Sequence, residues 1–257
     1  MTPERLPELV DFGAALFIVA LGIGMVAAHT ALAALAAARQ SPAGAARLAP
    51  AALVGAYLAM WFGLALTVGQ THAVSRAGNP GLLLALIVGF GPAVLAVALL
   101  FGSDSVRRLY MAMPASWLIW VQTYRMAGLI FLFPFLYYGI VPADFAVPAA
   151  LGDFVTGALA PIVGLAVARN RPHALRWATA WNLFGLLDLI VAPVAAVLSQ
   201  AAVLELYPLA LIPLFLGPPL GMLTHVYSLR SLAALASSRQ HDGSPHAATM
   251  AGAYRTT

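Results

Sequence analysis

Charged side chains in this chain are confined almost entirely to the gaps between long apolar runs, and that pattern restricts the fold more than any motif does. The runs cover Leu9 to Ala37, Pro50 to Gln70, Gly81 to Phe101, Ala115 to Ile140, Phe145 to Val167, Leu175 to Leu198 and Leu206 to Leu229. A helix crossing the bilayer needs about 20 apolar residues, and each of these runs is long enough. With 257 residues, 62% hydrophobic and only 9% charged, the chain departs from soluble globular composition, in which about a quarter of residues are charged. The expected fold class is therefore all-α: a polytopic membrane protein of seven transmembrane helices. Residues 1–236 form the expected bundle, and the polar, aperiodic stretch 237–257 reads as a disordered cytoplasmic tail.

Orientation follows from arginine. Alternating the connections puts Arg39, Arg47, Arg107, Arg108, Arg169, Arg171, Arg176, Arg230, Arg239 and Arg255 on one side and only Arg5 and Arg76 on the other. The positive-inside rule then gives an N-out, C-in chain, and its loop arginines read as a topology signal rather than a nucleic-acid footprint. The first run is too long, and its acidic flank of Glu4, Glu8 and Asp11 has the wrong sign, for a cleavable signal peptide.

The inventory of absences narrows the chemistry. There is no cysteine, which removes thiolate metal sites and thiol nucleophiles, and all 13 basic residues are arginine, which removes Schiff-base chemistry, covalent retinal included. No serine-hydrolase elbow, zinc-protease motif, P-loop or dinucleotide fingerprint occurs, so nothing points to catalysis. No internal repeat supports an inverted-repeat transporter.

Three ionisable residues fall at bilayer depth, where each costs about 3 kcal/mol or more and calls for a partner. At 1.5 Å per residue, Arg125 lies about 15 Å from the inner end of the fourth helix and Asp153 about 12 Å from the outer end of the fifth. The short Val141 to Asp144 connection makes these helices antiparallel neighbours, so the two charges can pair. On the sixth helix Asn182, Gly185 and Asp188 step round by about 60° each, giving one face an amide, a gap and a carboxylate. Gln122 shares a face with Arg125. The expected ligand-binding cluster is Gln122, Arg125, Asp153, Asn182, Asp188 and Pro218. In it Arg125 anchors an anionic or polar group, Asp153 holds Arg125, and Asp188 titrates or coordinates. One guanidinium between two carboxylates leaves an excess negative charge for a proton or a bound cation to neutralise. The competing reading is a satisfied ion pair that only fixes helix packing.

Pro218 and Pro219 remove the amide hydrogens that would serve the carbonyls of Leu214 and Phe215, so the seventh helix should break near the midplane and offer carbonyls to Arg125 or a ligand. His29 and His225 come out at similar depth on the first and seventh helices and are the candidates for haem or metal ligation in a redox or quinone-linked alternative. The tryptophans and tyrosines fall mostly toward span ends, as in interfacial aromatic belts. A third alternative is a non-catalytic subunit or sensor whose tail or inner loops meet a protein partner.

The segments QTYRMAGLIFL, LGDFVTGALAP, WNLFGLLDLIVA and YPLALIPLFLGPPLGMLTHVYSL resemble a family of bacterial seven-helix inner-membrane proteins to which no activity is attached. The resemblance covers the fourth to seventh helices, includes Gln122, Arg125, Asp153, Asn182, Asp188 and His225, and implies a bacterial cytoplasmic membrane. The likeness to rhodopsins is one of architecture alone, because the lysine that carries retinal is missing.

Overall fold

In hydrocarbon every backbone N–H and C=O must be satisfied within the chain, which leaves helix as the conformation for these runs. The computed structural model describes the backbone of residues 5–40, 48–78 and 80–242, with side chains from 13 to 238 within them. Its elements are α1 (Arg5–Gln40), α2 (Ala49–Gln70), α3 (Ala73–Arg76), α4 (Gly81–Gly102), α5 (Asp104–Met111), α6 (Ala115–Trp120), α7 (Ala143–Ala168), α8 (Ala174–Leu198) and α9 (Pro218–Asp242), with no strand among the described residues. Among the described residues six helical stretches are long and apolar enough to cross a membrane: Gly13–Gln40, Ala49–Gln70, Gly81–Gly102, Ala115–Tyr138, Ala143–Ala168 and Ala174–Leu198. Large apolar side chains stand exposed along them, among them Leu83, Ile87 and Val94 on α4 and Leu187, Ile190 and Val194 on α8. An apolar exterior of that extent fits lipid rather than water, as expected of a polytopic membrane protein.

The structure departs from seven regular spans in two places. The fourth run is not a continuous α-helix: after α6 it tightens into a 3₁₀ segment, Val121–Phe131, then widens into a π-type turn, Pro134–Tyr138, and stops at Gly139, whose φ of +63° lies in the left-handed region. The seventh run, Leu206 to Leu229, is interrupted. It passes through turns to a π-type segment, Ile212–Leu216, and α-helix begins only at Pro218, where the ring's fixed φ and missing N–H are tolerated. The interrupted stretch is enclosed: Ala210, Leu211, Leu214 and Phe215 have no exposure, and Phe215 packs edge-on against Trp61 with ring centroids 5.2 Å apart. Irregular backbone at this depth survives only where protein surrounds it. At its other end α9 continues to Asp242, so residues 237–242 of the expected tail are helical, and 243–257 lie outside the described residues.

Span 4, the irregular helical stretch Ala115–Tyr138, lies against α7, α7 against α8, and α8 against α9, so four pieces of chain surround the polar residues. On α7 the face toward span 4 is built from small residues, with Ala149, Ala150, Gly157, Ala160 and Gly164 buried. Small residues let helix backbones approach closely where lipid supplies no hydrophobic drive to association. Gly157 shows how close: a Cβ there would stand 2.5 Å from the backbone nitrogen of Met126.

Candidate functional site

The 3₁₀ geometry of span 4 determines what faces inward. With 3.0 residues per turn, side chains three apart eclipse, and Gln122, Arg125, Gly128 and Phe131 form one buried row. In an α-helix the first and last of that row would point to opposite sides, since nine steps of about 100° amount to half a turn beyond two full ones. The sequence expectation placed Gln122 and Arg125 on one face of an α-helix. The row is in fact longer and straighter, with Gly128 as the flat spot against which Asp153 rests: a Cβ on Gly128 would overlap the Asp153 side chain.

Arg125 is 2% exposed and at the centre of the cluster. Its Nε–H donates to Asp153 Oδ1 at 2.7 Å, one Nη2–H donates to Asp188 Oδ2, and Nη1 donates to the Gly185 carbonyl at 3.3 Å and to His225 Nε2 at 3.1 Å. Four of its five N–H groups are thereby matched inside the protein. Gly152 and Gly185 make this possible, because a Cβ on Gly152 would overlap the Asp188 carboxylate and one on Gly185 would overlap the His225 ring.

His225 is buried and held by its own chain of hydrogen bonds. Asn182 donates from Nδ2 to the Ala178 carbonyl at 2.8 Å and to Ser228 Oγ at 3.1 Å, which fixes the amide orientation and turns Oδ1 toward His225. His225 Nδ1 lies 2.8 Å from that oxygen. Nδ1 therefore carries the proton, leaving Nε2 as the acceptor that receives Arg125. The structure thus brings Arg125, Asp153, Asn182 and Asp188 together and adds His225, which the sequence reading had assigned to a metal. Gln122 is buried one 3₁₀ turn away and donates to the Gly221 carbonyl at 3.1 Å, while its Oε1 has no partner.

The proline break and the two histidines have partners of their own. Pro218 does not place freed carbonyls against Arg125; the polar groups meeting backbone beside the break are Tyr124, whose hydroxyl donates to the Leu216 carbonyl at 2.5 Å, and Gln122. Pro218 itself lines a cavity described below. His29 and His225 both have their ring nitrogens within hydrogen-bond distance of protein groups: His29 has Nδ1 at 2.8 Å from the Met25 carbonyl and Nε2 at 3.3 Å from Thr224 Oγ1, and His225 meets Arg125 and Asn182. Among the described residues no group of three or more His, Asp or Glu is arranged to hold a metal ion. The aromatic reading also changes, since Trp61 and Trp181 are core residues. Trp181 Nε1 donates to the Thr156 carbonyl at 3.1 Å and its ring lies 5.1 Å from that of His225.

A cavity of about 370 Å³ opens beside the cluster. Its lining includes the buried Asp153, the apolar side chains of Phe90, Phe131, Phe145 and Leu189, and the exposed Gln200 and Glu205 of the α8–α9 connection. The prolines marked the break in the seventh run, but not that the stretch around Pro213 and Gly217 would wall a cavity together with residues of α4 and α8.

A family model for a domain of unknown function, DUF8737, matches residues 82–233. The chain belongs to that family. The matched stretch runs from α4 into α9, takes in the whole Arg125 cluster and the cavity wall, and leaves out His29. Neither the curated proteins nor the solved structures contain a match.

Proposed function

We propose that the chain is a multi-pass protein of the bacterial cytoplasmic membrane, N-out with seven crossings, that binds and moves a small solute or ion at the Arg125 cluster in step with a proton. The observation that carries this reading is one guanidinium held between two carboxylates, with side-chain exposures of 1%, 12% and 10% for Arg125, Asp153 and Asp188. Arginine keeps its charge in proteins, and the hydrogen-bond pattern makes His225 an acceptor toward it. The trio is therefore one positive charge short, and a buried uncompensated charge is costly. A proton on one carboxylate cancels it, and so does a cation, which makes the two interchangeable at this centre.

The same arithmetic argues against an anion as the ligand, although Arg125 suggested one. Its donors already face protein acceptors, and two carboxylates surround it. The interrupted backbone at Ile212–Gly217 supports movement, because broken helices beside a cavity are where transporters place their binding sites.

Infrared difference spectroscopy of the protein in lipid, between acidic and alkaline buffer, tests the reading. A carboxylic-acid C=O band near neutral pH that disappears in either D153N or D188N is the expected result. Absence of any such band, with both carboxylates ionised throughout, leaves the trio as a packing clamp and overturns the proposal.

A further inference from the structure

The cavity beside Asp153 has a chemical signature of its own. We propose that it is the binding site for a lipophilic organic cation, an ammonium or phosphonium head on an apolar or aromatic body; this deepens the exchange reading above and rests on it. Its volume of about 370 Å³ falls in the range of small-molecule sites, which are mostly apolar with a few placed polar groups.

The placed groups here have one sign. Both ionisable side chains that line the cavity are acidic: Asp153, about 15 Å into α7 from Ala143, and the exposed Glu205. No arginine or histidine among the described residues lines it. The lining also includes Phe90, Phe131 and Phe145, and aromatic rings attract a desolvated cation more strongly than an exposed one. Asp153 meets Arg125 through Oδ1, and it alone of the trio borders this space. A cation arriving there supplies the charge that the trio lacks. Along α8 the cavity follows Leu189 to Val197, about 12 Å, so the body of such a molecule lies against aliphatic wall while its head reaches the acid.

Binding of tetraphenylphosphonium and of tetraphenylborate, near-isosteric ions of opposite charge, to the full-length protein in non-ionic detergent separates charge recognition from apolar partition. Saturable binding of the phosphonium and none of the borate is expected. A196F, a plug in the α8 wall away from every charged residue, should weaken it at least tenfold. F131L should weaken it about fivefold through the lost ring, and E205Q about twofold in a salt-dependent way. Equal binding of the two ions, or unchanged phosphonium binding by a folded A196F, overturns the site. If the carboxylic-acid band is present but the phosphonium does not bind, the cavity proposal fails alone; if the band is absent, the exchange reading on which it rests fails with it.

Discussion

Removing one carboxylate from the trio should be nearly harmless, whereas removing both should be severe. In D188N, Arg125 keeps its 2.7 Å bond to Asp153, the Gly185 carbonyl and His225 Nε2, and the remaining pair is neutral without the proton or cation that the trio needs. The cost should be about 0–1 kcal/mol, close to that of one exchanged hydrogen bond, and D153N should behave alike because Asp188 remains paired to Nη2. In D153N/D188N the guanidinium, 2% exposed, loses both counter-charges. Leaving such a charge uncompensated costs about 3–5 kcal/mol. The double variant should thus exceed the sum of the singles by about 1–5 kcal/mol, beyond the additivity error of roughly 0.5 kcal/mol. Adding R125M should recover much of the loss, since an apolar replacement of a buried ion cluster is often neutral or better. Reversible unfolding in mixed micelles, followed by tryptophan fluorescence, measures all four. Additive singles, or a D188N variant that by itself costs 3 kcal/mol, would refute the charge arithmetic.

Two further substitutions probe the packing around the cluster. G157A places a methyl group against the Met126 backbone, which has no rotamer with which to yield, so overpacking should cost about 1–3 kcal/mol and lower the melting temperature in detergent, whereas a neutral outcome would mean that α7 and the 3₁₀ segment separate easily. N182L deletes the acceptor for His225 Nδ1, and ¹⁵N resonances of His225 should then report loss of the single δ-protonated tautomer; an unchanged spectrum would show that Asn182 does not set it.

The identity of the cluster was legible in the sequence, but its roles were not. An ionisable group in an apolar run stands out because hydrocarbon penalises it, and a partner on the antiparallel neighbour follows from a short connection, so Arg125, Asp153 and Asp188 could be named before any coordinates. His225 was visible too, yet its adjacent polar surroundings were not, because its partners Asn182 and Arg125 are 43 and 100 residues away in the chain. Gly128, Gly152 and Gly157 carried no signal that distinguished them from other glycines in apolar helices, since their importance lies in which side chain or backbone from another helix comes to rest on them.

Composition and the spacing of charges by themselves determined that this chain is helical and suited to a bilayer, because the energetics of burying backbone and charge in hydrocarbon act residue by residue. Tertiary packing decided the rest. Close approach of α7 accompanies a 3₁₀ segment in span 4, which aligns Gln122, Arg125, Gly128 and Phe131 in one row. The prolines foretold the break in the seventh run, but packing decided that the stretch ending at Gly217 and Pro218 is held among neighbouring helices and walls a cavity. Both outcomes depend on distances between segments far apart in the chain, and hydropathy, a local quantity, carries no record of them.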